Sequence, residues 1–446
     1  MYDSAVLQTF YPTWLPSLLN ALIRTWNALP FGDIQIVWPP EVLLLIWAVI
    51  LFTLIAVVAQ ASVIFMVLME RKVLAWVTQR KGPNRVGPWG LLQTLADGVK
   101  LLFKEDIMHS GQDKFLFTIA PAIFFLPTFV FLALIPFTEH MLAVALPAGA
   151  LFVFALSSIS VIGMVLAGWA SNNKYSLIGG MRSAAQAISY EIPLVMSVLA
   201  VVLYTGTMNI SEIVMAQQGG LSIPFAGIEL TLIPNWFFLT LTPISFVIFA
   251  ISAIAEVNRI PFDLPEAESE LVSGYNTEYT GMKFALFFLA EYAALFAMCG
   301  FTVSFFLGGY LSPVGFYLVE LPAVKALLAA TGIPQIGGLV LQIEMLFWFL
   351  AKTYLFIFIA MWVRGTLPRL KPDQLMGFSW KFLIPLSLVN LFVICLQKYW
   401  HVGWNMPLEL KNLLAWGTIV VLAFGGFFIF SSRYLSKKLE ARLIGR

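Results

Sequence analysis

Carboxylate side chains, which can take up and release protons, are concentrated in one stretch of this sequence, from Glu256 to Tyr279. Only 11% of the 446 residues are charged, so such a cluster needs a reason. The acidic residues of this stretch and of the segment just after it are Glu256, Asp263, Glu266, Glu268, Glu270, Glu278 and Glu291. Acids beside or inside an apolar span are costly, and they commonly mark a proton or ion path. The stretch therefore predicts proton chemistry at the edge of a membrane.

The residues around Pro265 predict how part of this stretch folds. Proline is favoured in the first turn of a helix, and Asp263 stands where a capping side chain would. In such a helix Glu266 and Glu270 share one face, and Glu268 points roughly the opposite way. Acids at a helix N-terminus also complement the helix dipole. The dipole accounts for one or two of these acids but not for the whole run.

Other ionisable residues fall inside apolar segments. Glu191 stands two residues before Pro193, which frees a backbone carbonyl and bends a helix. We interpret Glu191 and Glu256 as members of a proton path, because ionisable groups at membrane depth are usually functional. Glu344 and Lys352 stand eight residues apart on one helix face. That pair fits a path and a purely structural charge relay equally well.

A second stretch with chemical potential is the basic segment Met69–Gly87. Its charged residues flank a rigid turn predicted at Gly82-Pro83-Asn84, and they include Glu70, Arg71, Arg80, Lys81 and Arg85. The glycine spacing matches neither a P-loop nor a dinucleotide-binding fingerprint, so phosphate binding is only weakly indicated. Ordinary positive charge on an inner loop would explain the lysines. It leaves the Gly-Pro-Asn-Arg turn unexplained.

The segment after this turn has the pattern of an amphipathic helix. One predicted face is apolar, with Leu91, Leu92, Leu95, Val99, Leu102 and Phe103. The other face carries Gln93, Asp97, Lys100 and Lys104. The pattern predicts a helix that lies along the membrane surface or under a partner protein.

The composition identifies the class of protein. Hydrophobic residues make up 60% of the chain, and the mean hydropathy is +0.87. Such values need repeated apolar runs of about 20 residues. The sequence therefore predicts an all-α, polytopic membrane protein. A net charge of +2 argues against a nucleic-acid partner.

Residues that could hold a redox cofactor are scarce in this sequence. The three histidines lie outside the predicted spans, which argues against a pair of haem ligands at membrane depth. Cys299 and Cys395 fall inside apolar runs, where packing is a more common role than a disulfide or a metal site. We therefore expect no catalytic residue, no metal site and no bound cofactor in this chain itself.

The apolar runs predict nine transmembrane helices. Their approximate bounds are residues 42–69, 115–137, 148–170, 185–206, 236–257, 284–307, 339–363, 379–398 and 412–431. We expect an interfacial segment over residues 1–40, a core transmembrane domain over 41–398, and an extra helix with a basic tail over 399–446. The core carries two structured inner loops, 70–114 and 257–283. Prolines inside the spans favour bent helices that line a cavity.

The basic residues predict the orientation of these spans. Of the 26 lysines and arginines, 21 fall on the side that holds both structured loops and the C-terminus. By the positive-inside rule that side is cytoplasmic. The N-terminus is then expected outside and the C-terminus inside.

Several motifs occur together and in an order found in one family. They are Glu70-Arg-Lys, Gly82-Pro-Asn-Arg-Val-Gly87, Phe103-Lys-Glu-Asp106, Gly168-Trp-Ala-Ser-Asn-Asn-Lys-Tyr-Ser176, Ser189-Tyr-Glu-Ile-Pro193, Arg259-Ile-Pro-Phe-Asp-Leu-Pro-Glu-Ala-Glu-Ser-Glu270 with Thr277-Glu-Tyr279, and Gly377-Phe-Ser-Trp-Lys381. With them the sequence resembles the H-subunit family of proton-pumping NADH:quinone oxidoreductases, respiratory complex I. The resemblance covers roughly residues 42–398. Residues 1–40 and the last predicted span exceed the commoner eight-span form.

The resemblance implies a quinone chamber at the junction with a hydrophilic arm. Its chamber and loop residues would be Glu70, Arg71, Arg80, Asn84, Arg85, Arg259, Phe262 and Asp263. Its proton path would use Glu191, Glu256, Glu266, Glu268, Glu270, Glu278 and Glu291. Quinone would be the substrate, and NADH and the iron–sulfur clusters would belong to partner subunits. Other expected partners are small membrane subunits and lipid, in a bacterial inner membrane.

Two rival interpretations stay open at this point. The related subunit of membrane-bound hydrogenases or formate-linked complexes has similar spans, and it pairs with a nickel–iron subunit. The complete Gly-Pro-Asn-Arg-Val-Gly and Asn-Arg-Ile-Pro-Phe-Asp-Leu-Pro-Glu-Ala-Glu runs favour the quinone branch. The second rival is a stand-alone secondary transporter. Such proteins often show two similar halves, and we find no such repeat in the sequence.

Overall fold

Long apolar helices dominate the structure, a computed structural model that describes residues 40–142, 146–223, 228–240, 242–264, 272–314, 317, 319 and 334–404. Within these ranges the helices are α1 (Pro40–Val77), α2 (Gln93–Phe103), α3 (Lys114–Ala133), α4 (Gly149–Ala170), α5 (Lys174–Thr205), α6 (Ile210–Met215), α7 (Phe237–Thr240), α8 (Pro243–Glu256), α9 (Gly281–Phe306), α10 (Pro334–Thr366), α11 (Pro372–Phe378) and α12 (Ile384–Trp404). Short 3-10 turns occupy Pro88–Gly90 and Gly274–Asn276, and a π-turn at Ser379–Leu383 joins α11 to α12.

The helices confirm the predicted class of a helical, polytopic membrane protein. Six stretches in the described residues are long and apolar enough to cross a membrane: α3, α4, α5, α9, Val340–Thr366 of α10, and Pro372–Tyr399 of α11 and α12. Helix α1 contains the predicted first span and extends to Val77. The predicted span 412–431, like most of the interfacial segment 1–40, lies outside the described residues. The total of nine spans and the division into domains stay predictions.

The fifth predicted span differs from the prediction. It was expected over residues 236–257, but the continuous helix α8 begins only at Pro243 and has 14 residues. Proline lacks a backbone N–H donor and suits the first turn of a helix, so the chain begins a new helix there. The short helix α7 precedes it.

A small β-hairpin between α6 and α7 was not predicted. Strands β1 (Gly220–Ile223) and β2 (Ile228–Pro234) pair antiparallel, with Ser222 opposite Glu229. The alternation of Ile228-Glu-Leu-Thr-Leu in β2 is the signal that could have predicted it. The short helix α6 stands before this hairpin, and Asn209 caps it by accepting from the Ser211 N–H at 3.2 Å.

Small residues bring several helices close together. A Cβ atom at Gly163 of α4 would lie 2.8 Å from the Phe124 backbone nitrogen of α3. A Cβ atom at Gly179 of α5 would lie 2.7 Å from Gly274, so only glycine permits this approach of the acidic loop. Close backbone contact through small residues is the usual way that helices associate in lipid. Helix α9 lies at the centre of the bundle and packs against α1, α3, α8 and α10.

Two lysines hold the ends of other helices. Lys352 of α10 is buried, and its Nζ donates to the carbonyls of Leu307 and Leu311 at 2.9 Å each, just after α9. Lys398 of α12 donates to the Leu203 carbonyl at 2.6 Å, near the end of α5. Cations at helix C-termini complement the helix dipole. These contacts favour the structural interpretation of Lys352.

Candidate functional site

The first part of the acidic loop, residues 257–264, is held against α5 by Gln186. The buried Gln186 amide nitrogen donates to the Ala255 carbonyl at 2.7 Å, to the Phe262 carbonyl at 2.6 Å, and to the Asn258 side-chain oxygen at 3.1 Å. Asn258 has a φ of 53°, a left-handed conformation that asparagine tolerates better than most residues. One amide therefore fixes both ends of a tight turn after α8.

The far side of this turn contacts the segment that joins α10 to α11. The buried Asp263 carboxylate lies 3.3 Å from Arg369 Nη2, and the Leu370 N–H donates to the Pro261 carbonyl at 3.1 Å. The Phe262 ring packs on Tyr190 of α5, with ring centroids 5.4 Å apart. Arg259, Phe262 and Asp263 are thus immobilised by three separate elements.

The Glu70 carboxylate joins three helices at one buried point. Its Oε2 atom accepts from Tyr292 Oη of α9 at 2.9 Å and lies 3.4 Å from Arg259 Nη1. Its Oε1 atom accepts from Arg364 Nη1 of α10. A carboxylate withdrawn from water is tolerated when cations and hydrogen bonds surround it. Glu70 meets that condition with two arginines and a tyrosine.

Arg259 has an unusual environment for a buried arginine. Its guanidinium lies 4.1 Å from the centroid of the Tyr292 ring, a cation–π stack. The Nε and Nη2 atoms are buried and have no hydrogen-bond partner among the described residues. Burial alone would lower the pKa of Arg259. Tyr292, Glu70 and Glu291 outweigh burial and raise the pKa above its ordinary range, so Arg259 stays charged.

The remaining loop residues predicted for the quinone chamber lie apart from this point. Arg71 forms an exposed ion pair with Asp97 of α2 at 2.6 Å. Arg80, Asn84 and Arg85 are also exposed. The structure therefore divides the predicted chamber set into a buried group (Glu70, Arg259, Phe262 and Asp263) and an exposed group (Arg71, Arg80, Asn84 and Arg85).

Arg80, Asn84 and Arg85 of the exposed group lie in a tightly folded turn, whereas Arg71 belongs to α1. The Lys72 ammonium donates to the Trp89 carbonyl at 2.7 Å. Gly90 has a φ of 77°, and a Cβ atom there would lie 2.3 Å from the Pro83 carbonyl oxygen. The Gly-Pro-Asn-Arg turn is therefore rigid, as its sequence predicts.

A small cavity inside the bundle brings two of the predicted path acids together. It has a volume of about 30 Å³, and its lining includes Glu256, Glu291 and Ser157. The buried Glu256 Oε2 atom has no partner among the described residues. Glu291 accepts from the Tyr275 hydroxyl at 2.8 Å. A polar cavity of this size has room for about two water molecules.

Glu191 lies on the other side of Ser157. The Ser158 hydroxyl donates to Glu191 Oε1 at 2.5 Å, and the Ser157 hydroxyl lies 3.5 Å from the same oxygen. Glu191 also lines an open, mostly apolar groove of about 520 Å³ between α4 and α5. Ser157 therefore stands between the Glu191 carboxylate and the cavity that holds Glu256 and Glu291.

Of the remaining predicted path acids, Glu278 is described, and its carboxylate bonds away from this cavity. Glu278 accepts from the Asn173 amide at 2.7 Å, in the turn between α4 and α5. The neighbouring Tyr279 ring stacks on Phe117 at 4.0 Å, and burial raises the pKa of the Tyr279 hydroxyl. Glu266, Glu268 and Glu270, with the helix predicted at Pro265, lie outside the described residues. Within the described residues, no group of three or more His, Cys, Asp or Glu side chains could hold a metal ion.

Comparison with known proteins agrees with this arrangement of motifs. The family model described as NADH dehydrogenase matches residues 22–395. The chain belongs to the NADH dehydrogenase family. Among curated proteins of this family, a Brevibacillus brevis protein named as the H subunit of NADH-quinone oxidoreductase is 46% identical over 348 residues, 78% of this chain and 92% of that protein. The same name describes a Dehalococcoides mccartyi protein that is 41% identical over 391 residues, 88% of this chain and 95% of that protein.

Membership of the NADH dehydrogenase family confirms the resemblance inferred from the motifs. The matched region also begins 20 residues before residue 42, so part of the N-terminal segment belongs to the family region. A relative from Bacillus thuringiensis is 47% identical over 333 residues, which are 74% of this chain and 88% of that protein. These matches span 88–95% of the length of the three relatives and 74–88% of this chain. The family assignment therefore applies to most of the chain.

Sequence reasoning missed several residues that complete the site of this family member. They are Tyr292 and Arg364 at Glu70, Arg369 at Asp263, Gln186 in the loop turn, and Ser157 at the cavity. The sequence contains a signal for Arg364 and Arg369, because both basic residues come shortly after the predicted span 339–363. Ser157 had none, because a serine within an apolar helix is common.

Proposed function

We propose that this chain is the membrane subunit of an NADH:quinone oxidoreductase, that it forms the quinone chamber at the junction with the hydrophilic arm, and that it links quinone reduction to proton translocation. Its relatives are named as the H subunit of NADH-quinone oxidoreductase, which supports the subunit assignment. The chain is then one part of an oxidoreductase, inactive alone. NADH and the iron–sulfur clusters belong to partner subunits.

The chamber is proposed at the junction of α1, residues 257–264, and the start of α11. Quinone is apolar and tailed, so it enters from the bilayer and must reach an electron donor in the aqueous arm. The Glu70–Arg259–Arg364 group supports this placement, because it puts fixed charges at the inner end of three helices. The exposed turn with Arg80, Asn84 and Arg85 is then the surface that meets the hydrophilic-arm subunits.

One observation carries the coupling proposal: Glu191, Glu256 and Glu291 lie around a single hydroxyl and a single polar cavity. Reduction of a quinone to a quinol consumes two electrons and two protons. Carboxylates that are withdrawn from water hold protons more readily, and close carboxylates titrate as a set. A change of charge near Arg259 also changes the electrostatic potential at Glu70 and Glu291, because both carboxylates interact with Arg259. Chemistry in the chamber can therefore shift protons among the cavity acids.

The orientation of the chain is part of the same proposal. The side of the spans that carries the chamber loops holds 21 of the 26 basic residues, so these loops face the cytoplasm of a bacterial cell. Two of the five remaining basic residues, Lys352 within a span and Lys398 on the other side, have structural partners, since both hold helix ends. When these two lysines are set aside, the excess of basic residues on the side of the chamber loops is larger than the count of 21 in 26 indicates.

The experiment is replacement of Glu256 by glutamine in the assembled complex. Glutamine keeps the shape of the side chain but cannot ionise. We expect assembly at the parent level and a loss of most inhibitor-sensitive NADH:quinone turnover and of proton uptake into inverted vesicles. Glu212→Gln is the matched control, because Glu212 bonds only local partners at the outer surface, Thr207 and Asn209. Parent turnover and pumping in Glu256→Gln would remove the cavity from the coupling path.

The two rivals are separated by the proteins that purify with the chain. A complex with flavin and iron–sulfur subunits that oxidises NADH fits the proposal. A nickel–iron subunit would assign the chain to the hydrogenase branch, and a chain that purifies alone and exchanges ions would assign it to transporters. Purified alone, the chain should show no iron–sulfur or haem absorbance. A visible redox centre would contradict the proposal.

A further inference from the structure

Helix α2 turns a continuous apolar face away from the rest of the chain. Its members are between 43% and 87% exposed, and they are Leu91, Leu92, Leu95, Val99, Leu102 and Phe103. The opposite side faces the bundle, where Thr94 is buried and Asp97 pairs with Arg71. An exposed apolar face of this extent is normally covered by lipid or by another protein.

A row of lysines borders this apolar face. At 100° per residue, Lys100 and Lys104 fall between the apolar face and the side that packs on the bundle. Both are exposed, and neither has an ion pair among the described residues. Of the neighbouring acids, Asp97 pairs with Arg71 and Asp106 with Lys283, so the exposed Glu105 is the one among them without an ion pair in the described residues. The border of the helix is therefore a strip of available positive charge.

The surrounding loop strengthens the positive field. Residues 70–106 contain seven basic and four acidic side chains. Trp89 is 79% exposed just before α2, and Trp76 is 71% exposed at the end of α1. Tryptophan is enriched at the level of lipid headgroups. Apolar surface, tryptophan and free lysine therefore occur together on one side of the molecule.

We propose that α2 is a binding surface for anionic phospholipids of the inner leaflet, with acyl chains against Leu95, Val99 and Leu102 and the phosphate beside Lys100 and Lys104. Lipid fits better than a protein partner, because exposed tryptophan and lysine flank the apolar face, as is usual at the level of lipid headgroups. A lysine at the membrane surface instead lays its methylene stem along apolar surface and places its ammonium among the headgroups. This inference stands independently of the proposed function.

The test measures lipid preference directly on the full chain. A bimane label is placed at Val99→Cys in a Cys395→Ser background, because Cys395 is exposed whereas Cys299 is buried. The protein is reconstituted with phosphatidylcholine and phosphatidylglycerol, of which either one carries brominated acyl chains. Quenching of the label by each lipid gives their relative binding constant at α2. We expect phosphatidylglycerol to be preferred, with a contribution of about fivefold from each lysine.

Three variants and a second label site make the result specific. Lys100→Gln with Lys104→Gln should bring the preference close to unity, whereas Lys100→Arg with Lys104→Arg should keep it. Lys371→Gln, at an exposed lysine near Pro261, should leave it unchanged. A label at Asn84→Cys in the exposed turn should escape quenching. Equal quenching by both lipids in the parent, or no quenching at Val99, overturns the proposal. Quenching that disappears when the complex assembles assigns the face to a protein partner instead.

Discussion

Arg259 and Glu70 are 189 residues apart in the sequence, and their Nη1 and Oε2 atoms lie 3.4 Å apart in the fold. The contact joins the acidic loop to the inner part of α1. Arg364 binds the second oxygen of the same carboxylate. The carboxylate is therefore the common point of two buried or half-buried cations, and its removal leaves both without their partner.

This arrangement predicts that Glu70→Gln destabilises the chain strongly. Removing one partner of a buried ion pair typically costs about 3–5 kcal/mol, because the other charge stays buried. Arg364→Gln should cost less, since its side chain is 26% exposed and Arg259 remains to neutralise Glu70. Thermal unfolding of the purified complex, with the yield of assembled complex, measures both. Equal midpoints for the two variants would contradict the central role of Glu70.

The stack of Arg259 on Tyr292 predicts the outcome of Arg259→Lys. A lysine keeps the charge for Glu70 but loses the planar stack, so we expect a partial loss of turnover. The lost stack is worth on the order of 0.5–2 kcal/mol. Tyr292→Phe is the matched variant, because it keeps the ring and removes only the hydrogen bond to Glu70. If Arg259→Lys matches the parent in turnover and unfolding temperature, Arg259 serves as a simple counter-charge.

Glu191→Gln should assemble and lose most quinone-linked activity. Glutamine can still accept a hydrogen bond from Ser158, so the local structure is kept while the charge is lost. The measurement is inhibitor-sensitive NADH:quinone turnover together with proton uptake in vesicles, normalised to assembled complex. Turnover and pumping at the parent level would leave Glu191 a structural acid in its groove.

Gln186→Glu should loosen the acidic loop. The amide nitrogen of Gln186 donates to two carbonyls and to Asn258, and a carboxylate cannot donate to any of them. The Ala255 and Phe262 carbonyls keep the backbone N–H groups of Asn258 and Leu264 as donors. Among the described residues, the Asn258 side-chain oxygen is the acceptor that loses its donor, at a cost of about 1–3 kcal/mol. Faster proteolysis between residues 257 and 283 and lower turnover are expected. Gln79→Glu, at an exposed position of the first inner loop, is the control. Unchanged proteolysis in Gln186→Glu would show that other contacts suffice to hold the loop.

The orientation is tested by cysteine labelling from one side of the membrane. In the Cys395→Ser background, Ser110→Cys should react only from the cytoplasmic face and Gln218→Cys only from the outer face. Both native residues are exposed, so accessibility does not limit the labelling. Reaction of Ser110→Cys with an impermeant reagent added outside would overturn the predicted topology.

The parts of the fold that sequence reasoning predicted well depend on local patterns. Apolar runs located the main spans, and helical periodicity located the apolar face of α2. Helix α5 shows the limit of this reasoning, because it begins at Lys174, eleven residues before the apolar run expected at 185–206. In its first three turns Lys174, Gly179, Gly180 and Arg182 interrupt the apolar pattern, and Asn173 caps the helix by accepting from the Tyr175 N–H at 3.0 Å. Hydropathy does not detect such a start.

Prediction of the site from the sequence is limited in a different way. Its acids stood out because charge is rare in this chain, but their partners depend on contacts between distant segments. Tyr292 and Arg364 reach Glu70 across 222 and 294 residues. No periodicity or spacing in a single sequence encodes such pairs. Glu278 was grouped with the path acids because it is close in sequence, whereas the fold turns it toward Asn173.

The Ser157 hydroxyl has one proton and two acceptors within reach. It donates to the Phe154 carbonyl of its own helix at 2.8 Å, and Glu191 lies at 3.5 Å. A hydroxyl has a single O–H donor, so bonding to one acceptor releases the other. The link between Glu191 and the hydroxyl at the inner cavity therefore depends on rotation about one side-chain bond of the buried Ser157. No helix has to move for that link to open or close.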